Sequence, residues 1–248
     1  SGATRLSLNG KPVYHHVGVS VFAEYAVCSR NSLVKIDASL PFEEAALFGC
    51  AVLTGVGAVV NTARVPPGTS AAVIGLGGVG LNAMLAAKMS GCTKIIAVDM
   101  LDDKLALARQ LGATHTFNAG DKNVVEAVRD ATGGGVHFAF EIAGSAKALE
   151  LAYQITRRGG ETVTAGLPHP DDTFPLPHTN LVAEERTVKG SYIGSCVPLR
   201  DVPRFIELYQ QGLLPVDRLM SDRIGLDDLN AAFDKLADGQ TVRQILVP

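Results

Sequence analysis

The chain has few cysteines, and their positions exclude the usual cysteine-built frameworks. Only four occur in 248 residues, at Cys28, Cys50, Cys92 and Cys196. They lie far apart and form no CxxC pair, so their spacing predicts neither a disulfide framework nor a self-contained zinc knuckle. Reduced thiols are the simplest interpretation.

The chain also lacks a long apolar run and a strong charge of either sign. No stretch of about 20 uninterrupted apolar residues is present, and no basic segment followed by an apolar one opens the sequence. The net charge of −3 gives no basic footprint for nucleic acid or for an anionic membrane. We therefore expect a cytoplasmic protein that acts on small molecules.

Hydrolase motifs are missing as well. The sequence has no HExxH pair, and Gly144-Ser145 lacks the flanking glycines of a nucleophile elbow. The six histidines are scattered without evident partners. Serine-hydrolase chemistry is accordingly excluded from the leading hypotheses.

What the chain does contain is an ordinary globular composition, with 47% hydrophobic residues and 26 glycines. Its length favours one large domain with a smaller attachment. From residue 71 onward, short apolar runs alternate with helical patterns at intervals of about 20–25 residues, which is typical of βαβ units. This alternation predicts an α/β fold, a doubly wound parallel sheet with helices on both faces. We predict strands over 71–74, 95–98, 115–117, 136–141, 162–165, 188–193 and 242–247, and helices over 78–90, 102–111, 122–131, 145–156, 201–211 and 226–237.

The strongest motif is the glycine-rich segment at residues 75–80, which directly follows the first of these strands. Gly75 permits a tight strand-to-helix turn, Gly77 lets the backbone approach a pyrophosphate, and Gly80 lets the helix pack closely on the strand. The phosphates would then lie at a helix N-terminus, where unpaired N–H groups and the helix dipole favour an anion. The alternative is a glycine loop that merely turns a strand into a helix.

The second predicted strand ends at Asp99, 19 positions after Gly80. Its carboxylate can accept hydrogen bonds from both hydroxyls of an adenine ribose, whereas a 2′-phosphate would place negative charge against it. The motif therefore predicts NAD rather than NADP. A methyltransferase also uses a glycine loop with a following acid, so nucleotide binding is the firmer part of this prediction. All these residues, together with Ile142, Ala165 and Leu167, fall at the carboxyl ends of predicted strands, where such sheets bind ligands.

The first part of the chain is less regular. Residues 18–36 show partly alternating β-like patterns, and Pro41 opens a helix that we expect to continue to about residue 60, before Pro66-Pro67-Gly68. The chain begins without methionine in what we interpret as β structure, so we expect that a preceding segment is absent. We predict three parts: residues 1–50 as a partial β-rich domain with the start of a connecting helix, 51–193 as the nucleotide-binding domain, and 194–248 completing its sheet and returning to the first part.

Taken together, several motifs resemble the zinc-dependent, medium-chain alcohol dehydrogenases over nearly the whole chain, from about Leu8 to Pro248. The more specific parts of the resemblance are the Cys50 helix and the terminal Arg243, because many dinucleotide folds share the glycine loop. The motifs are Gly49-Cys50-Ala51-Val52-Leu53-Thr54-Gly55, residues 75–80, Val98-Asp99 with Lys104, Leu111-Gly112-Ala113-Thr114, Gly134-Gly135-Val136, Ala165-Gly166-Leu167-Pro168, Lys189-Gly190 and Val242-Arg243-Gln244-Ile245. The resemblance implies a Rossmann domain attached to the remnant of a GroES-like catalytic domain.

The resemblance also implies roles for individual residues. Asp99 and Lys104 are similar to the family's adenosine-ribose contacts. Thr54 resembles the threonine that packs behind the nicotinamide ring, and His16 and Val17 fall where the family lines its substrate channel. The cofactor-binding set implied in this way comprises Gly75, Gly77, Gly78, Val79, Gly80, Asp99, Lys104, Ile142, Ala165, Leu167, Ile193 and Arg243. From the residues alone, Lys104 and Arg243 are equally typical of solvated surface positions.

Cys50 resembles one of three protein ligands of the family's catalytic zinc, although a lone cysteine on an apolar helix is usually a small buried hydrophobe. The other two ligands, the structural-zinc lobe and the proton-relay residues have no counterpart in this sequence. The resemblance implies an NAD- and zinc-dependent alcohol dehydrogenase whose cofactor-binding part is this chain, forming a homodimer or homotetramer through the strand at 188–193. The alternatives are a zinc-free quinone or enoyl reductase of the same fold, which Asp99 disfavours, and a non-catalytic NAD-binding module.

Overall fold

The computed structural model describes residues 4, 6–14, 18–19 and 21–247. The chain divides into two compact units. The larger unit is Glu44–Leu219, and the smaller one combines Ser1–Glu43 with Met220–Pro248.

A six-stranded sheet forms the centre of the larger unit. All of its strand pairs are parallel. The strands, in chain order, are β3 (Ser70–Ile74), β4 (Lys94–Asp99), β5 (His115–Asn118), β6 (Val136–Glu141), β7 (Thr156–Thr164) and β8 (Thr187–Gly190). Their spatial order is β5-β4-β3-β6-β7-β8, the order of a doubly wound dinucleotide-binding sheet. The predicted α/β fold is confirmed.

Helices connect these strands and cover the sheet. They are α3 (Gly78–Met89), α4 (Asp102–Leu111), α5 (Val124–Thr132), α6 (Ala146–Ile155), α7 (His178–Ala183) and α8 (Pro198–Gln210). Every residue of β3 is buried, which explains its continuous apolar and small-residue sequence without alternation. On one face of the sheet, α5 and α6 pack against a cluster that includes Ile74, Val98, Val128 and Ile155.

The helix predicted from Pro41 to residue 60 is interrupted. The chain forms α1 (Phe42–Ala45), a 3-10 turn (Ala46–Gly49), α2 (Ala51–Gly57) and a π-helical turn (Ala58–Ala63). The break before α2 occurs because Cys50 has the non-helical dihedrals φ −138° and ψ −66°. The segment ends at Arg64, whose φ is 53°, just before the two prolines, which cannot continue a helix.

The described residues of the smaller unit include two strand pairs and the helix α9. The hairpin of β1 (Leu6–Leu8) and β2 (Lys11–Val13) is antiparallel and turns at Asn9 and Gly10, both with positive φ, as an Asn-Gly turn favours. Strand β9 (Asp222–Ile224) pairs in parallel with β10 (Gln244–Leu246), and α9 is Leu229–Ala237. Assignment of this unit to a GroES-like domain stays a prediction.

Two strand predictions are wrong. Within 21–36, the described residues form a 3-10 turn at Arg30–Ser32 and no strand, because an alternating pattern still needs a neighbouring strand to pair with. Strand β8 ends at Gly190 rather than at Ile193. Ile193 itself cannot belong to a strand, because it begins a turn in which Ile193, Gly194 and Ser195 all have positive φ.

Among the described residues, no single helix is long and apolar enough to cross a membrane. Within the part of the chain that the structure describes, the bent pair Phe42–Gly49 and Ala51–Ala63 passes that test together, by length and composition.

Candidate nucleotide-binding site

The glycine segment joins β3 to α3 through a turn that only small residues allow. Gly75 has a φ of 91°, and a Cβ placed there would lie 2.8 Å from the Ala143 nitrogen. A Cβ on Gly80 would lie 1.8 Å from the Gly75 carbonyl oxygen. Gly77 differs, because a Cβ there would meet nothing within 4 Å. Gly75 and Gly80 are thus required by the fold, whereas Gly77 faces open space at the N-cap of α3.

Asp99, at the end of β4, fastens this turn to the neighbouring strand. One carboxylate oxygen accepts a hydrogen bond from the Leu76 N–H at 2.7 Å, and the other accepts one from the Leu101 N–H at 3.0 Å. An ionised carboxylate has about four lone-pair positions, so these two bonds leave acceptor capacity for ribose hydroxyls. Lys104 is half-buried on the first turn of α4, the helix that follows Asp99.

A crevice lies between the loops that follow β3 and β6, at the point where the strand order reverses. Strand β3 pairs with β4 on one side and with β6 on the other, so the connection from β3 to β4 and the connection from β6 to β7 run in opposite directions along the sheet. The Ile142 N–H still donates to the Ile74 carbonyl at 2.9 Å, and beyond it Gly75 contacts Ala143. This crevice at the carboxyl ends of the strands is where doubly wound sheets bind dinucleotides.

The segment after β7 reaches the same edge. The Ala165 and Gly166 N–H groups donate to the Glu141 carbonyl at 2.9 and 3.3 Å, and Leu167 is 81% exposed. The structure therefore brings together residues 75–80, Asp99, Ile142 and residues 165–167 at one edge of the sheet.

Helix α2 lies against the first turn of α3. A Cβ on Gly55 would lie 2.2 Å from the Val79 carbonyl oxygen, so glycine permits this close approach. Thr54 is buried and its N–H donates to the Cys50 carbonyl at 2.8 Å. Cys50 is exposed at the N-cap of α2, four residues before Thr54.

A left-handed turn at Ile193–Ser195 follows β8. Its φ angles are 48°, 65° and 51°, and a β-branched residue in this region is strained by about 1–2 kcal/mol. The turn is held closely against α2, because a Cβ on Gly57 would lie 2.4 Å from the Gly194 carbonyl oxygen. The Asn61 amide donates to that same carbonyl at 3.4 Å, and the Thr62 and Ser195 hydroxyls are 2.8 Å apart.

Cys196 and Asp201 complete the support for this turn. The Cys196 thiol donates to the Leu53 carbonyl at 3.3 Å, and burial, followed by the nearby Asp201 carboxylate, raises its pKa to about 11. The thiol is therefore favoured in its neutral form, which can donate this hydrogen bond. Asp201 is fully buried, accepts from the Val197 N–H at 2.8 Å and pairs with Arg200.

Comparison with known proteins agrees with this geometry. The family model described as zinc-binding dehydrogenase matches residues 78–211. Alcohol dehydrogenase 1 of Trifolium repens is 37% identical over 98% of this chain and 64% of its own length, and that of Zea mays is 37% identical over 99% and 65%. This chain belongs to the zinc-binding dehydrogenase family.

Solved structures support the same conclusion for this zinc-binding dehydrogenase. Benzyl alcohol dehydrogenase from Acinetobacter calcoaceticus matches with a TM-score of 0.89 and 36% identity, covering 92% of this chain and 63% of that one. An alcohol dehydrogenase zinc-binding domain protein from Burkholderia ambifaria matches with a TM-score of 0.91 and 36% identity, covering 96% and 65%. The chain thus spans less than two thirds of the length of these relatives.

Membership of the family implies NAD and zinc as cofactors. The glycine turn and Asp99 fit a dinucleotide. Zinc does not fit in the same way, since no group of three His, Cys, Asp or Glu side chains that could hold a metal occurs among the described residues. A catalytic zinc needs about three protein ligands, and Cys50 supplies one thiol.

The structure does not test three residues of the predicted site. His16 and Val17 lie outside the described residues. Arg243 lies just before β10 in the smaller unit of the dehydrogenase chain.

Sequence reasoning missed Glu141. It ends a buried strand much as Asp99 ends β4, and it is only 1% exposed. An acidic residue closing an apolar strand was the available signal.

Proposed function

We propose that this chain is the cofactor-binding part of an NAD-dependent zinc alcohol dehydrogenase, which transfers a hydride from an alcohol to NAD and yields an aldehyde or ketone. The observation that supports it most is the joint placement of the glycine turn and the Asp99 carboxylate at the strand-order reversal. The alcohol dehydrogenase relatives act on small alcohols, and we expect a substrate of that class here.

The preference for NAD over NADP follows from charge. An adenosine ribose with two hydroxyls would donate hydrogen bonds to Asp99, and charge-assisted bonds of this kind contribute about 1.5–3 kcal/mol each. A 2′-phosphate would instead bring negative charge next to this carboxylate.

Different residues of the assigned set bind different parts of the cofactor. Residues 77–80 bind the pyrophosphate at the start of α3, and Asp99 and Lys104 bind the adenosine ribose, with Arg243 as a cation facing phosphate. Ile142, Ala165, Leu167 and Ile193 contact the nicotinamide half, and Thr54 packs behind its ring. His16 and Val17 line the route taken by the substrate.

Cys50 is assigned as one ligand of the zinc held by the complete enzyme. Its exposed position, one turn from Thr54 on a helix packed against the glycine turn, supports the assignment. Because the described residues do not form a zinc site by themselves, we expect this chain alone to bind nucleotide without oxidising alcohol.

Calorimetric titration of the chain with NADH and NADPH tests the proposal. We expect NADH to bind at least about tenfold more tightly, a difference of about 1.4 kcal/mol. Asp99→Ala should remove this preference, while Asp103→Ala, an exposed acid on the first turn of α4, should keep it. Failure of the wild-type chain to bind either nucleotide would refute the cofactor assignment.

We further infer a cytoplasmic homodimer or homotetramer joined through β8, because this strand is the edge of the six-stranded sheet and an exposed edge favours pairing with a second chain. Light scattering at micromolar concentration tests the assembly. A monomer would contradict it.

A further inference from the structure

Glu141 is a carboxylate enclosed at the candidate site without a part in the functions assigned above. It ends β6, at the reversal point of the strand order, and is almost completely buried. Burying a carboxylate is costly unless hydrogen bonds replace its hydration. One oxygen accepts from the Gly144 N–H at 2.5 Å, and the other accepts from the Thr164 hydroxyl at 2.6 Å.

These two bonds join the loop after β6 to the end of β7. Gly144 belongs to the loop after β6, and Thr164 is the last residue of β7. The main-chain carbonyl of Glu141 also accepts from the N–H groups of Ala165 and Gly166. One residue thus fixes both segments that we assign to the nicotinamide half of the cofactor.

The space around the carboxylate is restricted by glycines. A Cβ on Gly166 would lie 2.3 Å from the Gly144 nitrogen and 3.0 Å from a Glu141 carboxylate oxygen. Gly144 itself has a φ of 74° and lies close to the backbone of Leu167. The backbones of Gly144 and residues 166–167 are thus in close contact, and the Glu141 hydrogen bonds together with this packing set the position of one segment relative to the other.

We propose that Glu141 is a positioning residue that holds the backbone of residues 142–144 and 165–167 in the arrangement that receives the nicotinamide half of NAD. This inference rests on the proposed function. Glu141 does not touch the cofactor in this role, and the adenosine half bound at Asp99 does not depend on it.

Two substitutions weaken the hydrogen bonds of the Glu141 carboxylate without changing the volume of the side chains. Glu141→Gln keeps the shape of the side chain but replaces one acceptor oxygen with a donor NH2 group. Thr164→Val removes the hydroxyl and keeps the volume. Thr162→Val is the matched control, because Thr162 lies on the same strand and its buried hydroxyl pairs with Thr156, at 2.8 Å, rather than with Glu141.

The test compares two ligands by calorimetry on the full chain. NADH contains both halves of the cofactor, and ADP-ribose lacks the nicotinamide ring. We expect Glu141→Gln and Thr164→Val to lower the affinity for NADH by about tenfold, the loss of one charge-assisted hydrogen bond, while the affinity for ADP-ribose stays within about twofold of wild type. Thr162→Val should change neither affinity.

A merely structural role for Glu141 predicts a different result, in which both ligands weaken together and in step with the melting temperature. Equal losses for NADH and ADP-ribose, or unchanged NADH binding in both variants, would overturn the inference. Wild-type NADH binding no tighter than that of ADP-ribose would overturn it too. If the wild-type chain binds neither ligand, the proposed function fails first, so the two failures are distinguishable.

Discussion

The Gly77→Ala substitution tests whether glycine is required at position 77 by the fold or by a bound pyrophosphate. At the neighbouring glycines a methyl group would collide with backbone, at 1.8 Å for Gly80 and at 2.8 Å for Gly75. At Gly77 the added Cβ meets nothing within 4 Å, and the dihedrals of φ −75° and ψ −171° suit alanine. The substitution therefore places a methyl group only where the proposed ligand would lie.

The expected effect of Gly77→Ala on stability is much smaller than its expected effect on NADH affinity. Alanine is a poorer N-cap than glycine by about 0.5–1 kcal/mol, and it gains about 0.4–1 kcal/mol by restricting the unfolded chain. These effects offset each other, so we expect the melting temperature to stay within about 4 °C of wild type. Loss of close backbone contact with the phosphates should cost about 1.5–3 kcal/mol, which is about a 10- to 150-fold loss of NADH affinity.

The assay pairs thermal unfolding with calorimetric NADH titration. Gly225→Ala is the control, because its Cβ would make only an ordinary contact at 3.7 Å and its φ is −86°. A Gly77→Ala protein that keeps both its stability and its full NADH affinity would refute the placement of the pyrophosphate. If Gly77→Ala lowers the melting temperature as much as Gly80→Ala does, the conclusion that a Cβ at position 77 has open space around it would be wrong.

Further predictions concern pH and buried charge. Burial, and then the Arg157 guanidinium, lower the pKa of His137; its neutral form is favoured in the fold, so stability is full above the unfolded pKa of about 6.5 and falls as the pH drops below it. Urea unfolding at pH 7 and pH 5 should therefore show a larger loss for wild type than for His137→Gln, with the exposed His178→Gln resembling wild type, and equal losses in all three would contradict this. Burial acts to raise the pKa of Asp201, but hydrogen bonds from Arg200 and the Val197 N–H outweigh it, so the pKa is lowered. Asp201→Asn should destabilise the fold by about 1–3 kcal/mol at neutral pH, and this difference should shrink as the pH falls through the native pKa of Asp201, whereas a pH-independent difference would exclude the charge as its cause.

Local patterns predicted the features that depend on local sequence. Residue spacing within short stretches was enough to predict the glycine turn, the acid that ends β4 and the βαβ alternation. Strand β6 and helix α4 have the predicted bounds, Val136–Glu141 and Asp102–Leu111. In each of these elements, the apolar pattern and the helix or strand limits are set by residues inside the element or next to it.

Features that depend on distant residues escaped prediction. The positive φ at Ile193 is stabilised by contacts with α2, including the approach of Gly194 to Gly57, and no local rule assigns that conformation to isoleucine. The hydrogen bonds of Glu141 reach Thr164, 23 positions away. Likewise, the alternating residues before Ile36 resemble strands locally, but a strand forms only where another chain segment is available to pair with it.

The order of the strands has a consequence for how the protein folds. Strand β3, which leads into the glycine turn, pairs with β6, where Ala71 lies opposite Phe138. The crevice between their ends does not exist until this distant pairing has formed, and pairings of high sequence separation form slowly. During refolding, helical signal should consequently recover before the ability to bind NADH, and nucleotide capture will report the late joining of the two halves of the sheet.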